Sequence, residues 1–169
     1  LGLAMRELDR CPPELRRFEW SYLRHAASPV VGHVPLANPA VDLALDARRG
    51  VLLAYTSAGE LIEADPATGG TRVQNVAPPG ARGSLSDDGR LLAIAGTGGL
   101  RVLDVATGQD RLVQPTAGQV RFLSLSEAGR SVAWVTEEGE VGVREVEGTT
   151  PAAVLTVPDA RQVAVGERG

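Results

Sequence analysis

Short segments in which apolar and polar residues alternate recur along the chain, and each runs into a polar turn that ends in glycine. Alternation with a period of two is typical of a β-strand that has one buried face. Four such segments lead to Gly50, Gly89, Gly129 and Gly169, which are 39, 40 and 40 residues apart. The pattern therefore predicts a unit of about forty residues that is repeated along the chain.

Each unit contains further turns that separate four predicted strands, which are short and rich in Val and Leu. Glycine suits these turns because tight hairpins need positive φ angles, which residues with a Cβ resist. Four short antiparallel strands in about forty residues form one blade of a β-propeller. The predicted fold is all-β: a partial propeller of about three four-stranded antiparallel blades plus the start of a fourth, preceded by a short helix.

The predicted helix lies near the start of the chain, after Pro12. Leu15, Phe18, Tyr22 and Ala26 recur at helical spacing and form one apolar stripe. The predicted organisation is a helical linker segment over residues 1–27, a Pro-rich connector over 28–40 and blades over 41–169. The blades span approximately 41–80, 81–118, 119–159 and 160–169, of which the last is incomplete.

When the glycines are aligned, an alanine stands at one position of the second strand of each unit, at Ala54, Ala93 and Ala133. We expect these side chains to face an adjacent blade, where little room is left. The alternative is that they reflect a GC-rich coding bias, which the Ala-rich composition with arginine in place of lysine also suggests. Both interpretations stay open here.

Residues 86–93 and 100–108 together resemble a WD repeat, with a Ser-Asp-Asp-Gly-Arg turn, a strand, and Asp104 followed by Val-Ala-Thr-Gly. Leu103 stands where the family has its signature Trp, and Gly118-Gln119 stands near the usual Gly-His pair. The resemblance covers roughly residues 40–169 and implies a WD40-like propeller. These differences remove the buried His–Ser–Asp–Trp network of many WD repeats.

Residues 8–23 are similar to the linker that precedes the C-terminal WD repeats of large bacterial serine/threonine protein kinases. The similarity rests on the Cys-Pro, Leu-Arg, Glu-Trp and Tyr-Leu pairs in this segment. It implies a kinase domain upstream, outside this chain, and indicates no kinase activity within it.

Composition narrows the possible functions further. All 17 basic residues are arginine, which excludes a phosphate-loop lysine, a Schiff-base lysine and the ATP-pairing lysine of a kinase within this chain. A net charge of −4 gives no basic footprint for nucleic acid. Cys11 is the single cysteine, and no apolar run approaches the ~20 residues that cross a bilayer. We expect a cytoplasmic location, although an upstream part of the parent protein could be membrane-anchored.

Three segments offer candidate chemistry. Asp87 and Asp88 are adjacent carboxylates, but Asp before Gly in a hairpin is typical of a turn. Glu137, Glu138 and Glu140 form an acidic segment around Gly139, but it lacks the alternating ligand spacing of a calcium loop. Residues 96–99 resemble a phosphate cradle, yet no helix is predicted after them. We interpret all three as hairpin turns and assign no catalytic, cofactor-binding or metal-binding residue.

The histidines and tryptophans are the remaining candidates. His25 and His33 form no metal site or catalytic triad, since one lies in the predicted helix and the other in the connector. Trp20 lies off the apolar stripe, where it could contact a partner, and Trp134 lies in a strand, where we expect it to pack. The sequence leaves the partner-binding residues unknown.

The resulting expectation is a non-catalytic scaffold, without a cofactor, that presents rim loops to a protein or peptide partner. The alternative is part of a quinoprotein-like or hydrolytic propeller enzyme that needs further blades for its active site. Its candidate innermost strands, 42–45, 82–85 and 122–125, offer no matched set of polar residues. A third interpretation is a purely structural segment of a pseudo-propeller.

Ring closure requires four to eight blades, more than the sequence provides. We therefore expect the uncovered faces to be covered by the remaining blades of a parent chain or by self-association. The isolated chain is predicted to be marginally stable or oligomeric.

Overall fold

The computed structural model describes residues 7, 10–12, 34–96, 99–160 and 162–166. The chain divides into two units, Leu1–His33 and Val34–Gly169. The predicted helix, together with Trp20, His25 and His33, lies outside the described residues. Within the described part of the chain, no helix is long and apolar enough to cross a membrane.

The described part of the second unit contains twelve strands in three antiparallel sheets of four, each with its strands in sequence order. We refer to these sheets as blades 1, 2 and 3. Blade 1 contains β1 (Ala40–Asp46), β2 (Val51–Thr56), β3 (Glu60–Ala64) and β4 (Thr71–Asn75). Blade 2 contains β5 (Arg82–Leu85), β6 (Leu91–Gly96), β7 (Gly99–Asp104) and β8 (Asp110–Gln114). Blade 3 contains β9 (Val120–Leu125), β10 (Ser131–Thr136), β11 (Glu140–Glu145) and β12 (Ala153–Thr156). Residues 162–166 form no strand.

The first strands of the blades lie side by side, since β5 contacts both β1 and β9. The last strands, β4, β8 and β12, are mostly exposed. The blades are therefore stacked around their first strands, as the sequence predicted for the innermost strands. Three four-stranded antiparallel blades confirm the predicted fold class.

The glycine of the first turn lies one place later in blade 1 than in the other two blades. The N–H of Gly50 donates to the carbonyl of Asp46, four residues earlier, at 2.8 Å. The N–H of Gly89 donates to the carbonyl of Ser86, only three residues earlier, also at 2.8 Å, and blade 3 repeats this pattern. Gly50 is therefore not at the structural position of Gly89, and the alignment of the glycines shifts blade 1 by one residue.

This shift corrects the expectation for the alanines. Ala93 and Ala133 do occupy one position, opposite a serine of the innermost strand in each blade. In blade 1 that position is taken by Leu53, while Ala54 lies at the position of Trp134. The prediction that all three alanines share one site is wrong for Ala54. The prediction that they face a neighbouring blade is confirmed for Ala93, which belongs to the core between blades 2 and 3.

Two hydrophobic cores lie between successive blades. Because side chains on a strand alternate between its two faces, each blade has one face toward the next blade, here called its forward face, and an opposite rear face. The forward face of blade 1 is formed by Ala44, Leu53, Tyr55 and Leu61, and it meets the rear face of blade 2, formed by Leu85, Leu92, Ile94 and Leu103. The forward face of blade 2 is formed by Ala93, Ala95, Leu100, Val102 and Leu112, and it meets Leu125, Val132 and Trp134 on the rear face of blade 3.

Each core contains one fully buried aromatic side chain beside a glycine. A Cβ on Gly83 would overlap the ring of Tyr55, whose hydroxyl donates to the carbonyl of Ala81 at 3.1 Å. A Cβ on Gly142 would overlap the indole of Trp134. Trp134 packs within the core, as expected from its place in a strand.

Candidate interaction surface

The candidate catalytic pair forms a turn. The Asp88 carboxylate accepts hydrogen bonds from the Ser86 hydroxyl at 2.8 Å and from the N–H of Arg90 at 3.0 Å. The N–H of Asp87 donates to the carbonyl of Glu127 in the next blade at 3.0 Å. Both residues therefore shape the first turn of blade 2 and tie it to blade 3.

The other two candidate segments are also turns. Glu137 and Glu138 are exposed at the tip of the hairpin between β10 and β11. Glu140 accepts a hydrogen bond from the indole N–H of Trp134 at 3.0 Å, which joins this hairpin to the core. Gly96 and Gly99 pair across the hairpin between β6 and β7, and the two residues between them lie outside the described part.

The Asp-x-x-Thr-Gly segments that carry part of the WD resemblance form the third turns of blades 1 and 2. The Asp104 carboxylate accepts hydrogen bonds from the N–H groups of Ala106 and Thr107 at 3.1 and 3.0 Å. It also binds the guanidinium of Arg111 at 2.8 Å, and this contact is the main cause that lowers its pKa. Asp65 makes the same turn contacts in blade 1. Aspartate in this position stabilises the turn and needs no role in chemistry.

The polar residues of the innermost strands contact the neighbouring blade. The Asp42 carboxylate accepts a hydrogen bond from the N–H of Leu85 at 2.7 Å. The Ser84 hydroxyl accepts one from the N–H of Leu125 at 3.1 Å. These side chains, which a propeller enzyme would use around its axis, here satisfy backbone groups of the next blade. Within the described part, no three His, Cys, Asp or Glu residues are placed to hold a metal ion.

A cleft of about 1060 Å³ lies at the junction of blades 2 and 3, on the side of their first and third turns. Its lining includes four arginines and four acidic residues: Arg90, Arg111, Arg130, Arg144, Asp88, Asp104, Glu145 and Glu147. Arg144 crosses the junction, since its Nη1 donates to Gln114 Oε1 of blade 2 at 2.6 Å. Its Nε is buried and makes no hydrogen bond in the described structure. The cleft is therefore a groove lined by charged side chains of both signs.

Sequence reasoning missed this cleft because its lining comes from four separate turns and from residues 165 and 166. One signal was present: Arg90 and Arg130 follow the glycine of equivalent turns and are 40 residues apart. The repeat therefore places both arginines on the same side of adjacent blades. The contribution of the third turns became visible only from the stacking of the blades.

Comparison of the sequence finds no matching family model and no matching curated protein. Comparison of the structure finds the β-propeller domain of Myceliophteria thermophila Cps50 (Swd1), with a TM-score of 0.57 and 18% identity over 76% of this chain and 46% of that one. It also finds the WD40 repeats of RRP9, with a TM-score of 0.61 and 14% identity over 79% of this chain and 44% of that one. The fold is a partial β-propeller that is similar to these two.

A third similar structure is the hydrazine synthase of Kuenenia stuttgartiensis, with a TM-score of 0.55 and 12% identity over 80% of this chain. The chain spans less than half the length of each of these three structures, at 46%, 44% and 41%. At such identities the likeness establishes the fold alone.

Proposed function

We propose that this chain is a non-catalytic scaffold that binds a protein or peptide segment in the cleft between blades 2 and 3. The observation that carries the proposal is the cleft itself, a groove of about 1060 Å³ whose turns are held by two packed sheets. Rigid sheets that present turns at fixed positions are typical of recognition surfaces. The likeness to WD40 propeller structures supports the same class of function.

The charges of the cleft suggest the chemistry of the partner. Arg111 is already paired with Asp104, while the side chains of Arg90 and Glu147 are exposed at the rim. A groove with both signs of charge selects an extended segment that carries acidic and basic residues in a complementary order. Its backbone would lie along the junction, where Arg144 spans the two blades.

Selection of peptides from a random library on the purified chain tests this proposal. Arg90→Glu reverses one charge of the cleft, and we expect it to weaken the selected peptides by about tenfold or more, equivalent to ~1.4 kcal/mol. Arg72→Glu is the matched control, since Arg72 is exposed on β4 of blade 1 and does not line the cleft. Peptides that bind both variants as tightly as the unaltered chain would contradict the assignment of the site.

We further propose that the chain belongs to the C-terminal region of a bacterial serine/threonine protein kinase and functions in the cytoplasm. The support is the similarity of residues 8–23 to the linker of such kinases. In that setting the scaffold would bring a substrate or regulator to the kinase. A pull-down with the complete parent protein, with and without these blades, tests this, and equal recovery of every partner would count against it.

A further inference from the structure

The two aspartates that line the cleft already have partners within the chain. The Asp88 carboxylate accepts hydrogen bonds from the Ser86 hydroxyl and from the backbone N–H of Arg90. The Asp104 carboxylate accepts hydrogen bonds from backbone N–H groups of its own turn and binds the guanidinium of Arg111. Both carboxylates are therefore held by their own turns.

The two glutamates of the cleft also lie beside other groups. The Glu145 carboxylate takes up the space next to Gly148, because a Cβ on Gly148 would lie 2.6 Å from its Oε2. The pKa of Arg111 is raised mainly by its hydrogen bond with Asp104, and the charge of Glu147 raises it further. Glu147 therefore acts on a guanidinium that is already paired, and none of the four acidic residues is left to balance the other arginines.

Two arginines of the cleft make no ion pair in the described part of the chain. The exposed guanidinium of Arg90 makes no hydrogen bond there either. Arg144 has only a neutral partner, Gln114, at 2.6 Å, and its buried Nε has no hydrogen-bond partner. A partly buried charge is costly when it lacks an opposite charge and leaves a donor unsatisfied. The cleft therefore contains two positive charges that are not paired with a carboxylate.

These two arginines reach the cleft from different blades. Arg90 follows the first turn of blade 2, whereas Arg144 lies on β11 of blade 3 and is held by Gln114 of blade 2. One guanidinium is thus fixed before a ligand arrives, which lowers the entropic cost of binding. The exposed side chain of Arg90 can change its rotamer to meet the same ligand.

We propose that the cleft binds a phosphorylated side chain, a phosphoserine or phosphothreonine within an extended peptide, through the guanidiniums of Arg90 and Arg144. A phosphoryl group carries about −1.5 to −2 charges at pH 7 and has three strong acceptor oxygens, which matches two unpaired guanidiniums better than one carboxylate does. Guanidinium and phosphate form short, charge-assisted hydrogen bonds that are often bidentate. The inference rests on the proposed function, since it names the chemical group that the cleft selects in its peptide.

Three peptide libraries test the proposal. Each has random positions around one fixed central residue, which is phosphoserine, glutamate or serine, and each is passed over the immobilised full chain. We expect the phosphoserine library to be retained about tenfold more strongly than the other two. Equal retention of the phosphoserine and glutamate libraries would overturn the phosphate assignment and leave peptide binding in the cleft intact. If no library is retained, the proposed function fails as well.

Two variants assign the preference to the arginines. Arg90→Gln removes one charge at an exposed position, so the variant should fold, and Arg144→Gln removes the other. Each should abolish most of the preference for phosphoserine over serine and change retention of the serine library little. Arg72→Gln is the matched control, since Arg72 is exposed on β4 of blade 1 and does not line the cleft. A preference that survives Arg90→Gln, or that Arg72→Gln also abolishes, would overturn the assignment.

Inorganic phosphate separates a peptide site from a simple anion site. The backbone and side chains of a peptide add contacts along the cleft, so inorganic phosphate should compete only weakly with the selected phosphopeptides. If inorganic phosphate binds as tightly as these peptides, the cleft recognises the anion alone, and the proposal of a phosphorylated peptide is overturned.

Discussion

Each of the two junctions between blades contains one large aromatic side chain. It lies on the forward face at the first junction and on the rear face at the second. At the first, the large aromatic residue is Tyr55 on the forward face, and it lies against Gly83 of the next blade. At the second, it is Trp134 on the rear face, and the forward face opposite offers Ala93 and Ala95. Because protein interiors are close-packed, the side chains of the two facing blades must together fill the space at a junction. A large side chain on one face can therefore be exchanged for one on the other face, provided that the total volume is kept.

Removal of the second aromatic residue should have the largest effect on the stability of the stack. Trp134→Ala leaves a cavity against Ala93 and an unpaired Glu140, and we expect the free energy of unfolding to fall by about 3–5 kcal/mol. Urea denaturation followed by far-UV circular dichroism measures this loss. Trp134→Phe, which keeps most of the apolar volume, should cost clearly less. Equal losses for the two variants would show that the cavity does not dominate.

The next largest difference between the two junctions should appear when a side chain is added at the first one. Gly83→Val forces the ring of Tyr55 to move, at a cost of about 1–3 kcal/mol in the free energy of unfolding. The same site in blade 3 already holds a side chain, Leu123, so Leu123→Val should cost less than ~1.5 kcal/mol. Combining Gly83→Val with Tyr55→Ala should cost less than the sum of the single changes, as measured by a double-mutant cycle. Simple additivity would contradict the close contact.

The hydrogen bonds between innermost strands should make a smaller and unequal contribution. Asp42→Ala removes a charged acceptor at 2.7 Å from the N–H of Leu85, whereas Ser84→Ala removes a neutral one at 3.1 Å from that of Leu125. We expect the free energy of unfolding to fall by about 1.5–3 kcal/mol for Asp42→Ala and by about 0.5–1.5 kcal/mol for Ser84→Ala. Denaturant titration of both variants checks the order, and a larger loss for Ser84→Ala would reverse our interpretation of the two contacts.

The smallest effect expected is one of pH, and it concerns the first turns. Asp46 of blade 1 occupies the position where blades 2 and 3 have serine, and its hydrogen bond with the Arg49 side chain is the main cause that lowers its pKa. Because this pKa is lower in the folded chain, the carboxylate stabilises the fold above its unfolded-state pKa, and that contribution is lost as pH falls through the folded-state value.

Asp46→Ser gives blade 1 the residue of the other two blades. We expect the variant to lose less stability than the unaltered chain when the pH is lowered below about 4. The free energy of unfolding measured across this range provides the comparison. Identical pH profiles would show that the pair formed by Asp46 and Arg49 does not contribute.

The repeat pattern was enough to predict the blades and their innermost strands, because a period of two and regularly spaced turns follow from local backbone preferences. It failed at Gly50, which lies one place later in the first turn of blade 1 than Gly89 and Gly129 lie in theirs, although the turns have the same length. Aligning the glycines therefore pairs β2 with β6 one residue out of register. The second hairpin of blade 2 is one residue shorter, since Gly96 pairs with Gly99 across two residues while Thr56 and Glu60 are separated by three.

The cleft could not be predicted in the same way. Arg90 and Arg130 follow from the repeat, but Arg144 and Gln114 meet only because of how two sheets are rotated against each other. The angle between packed sheets arises from the twist of each sheet, and the periodicity of the sequence contains no information about it.

Because Tyr55 lies on the forward face of its blade and Trp134 on the rear face of its own, the order of these blades cannot be changed. If blade 3 directly followed blade 1, the tyrosine ring would meet Leu123 and the indole would meet Leu53, so two large groups would compete for one space. Exchange or deletion of a whole repeat would therefore produce a clash even though every hairpin remained intact. Although the blades share one sequence pattern, the side chains on the forward face of each blade fit only the blade that follows it.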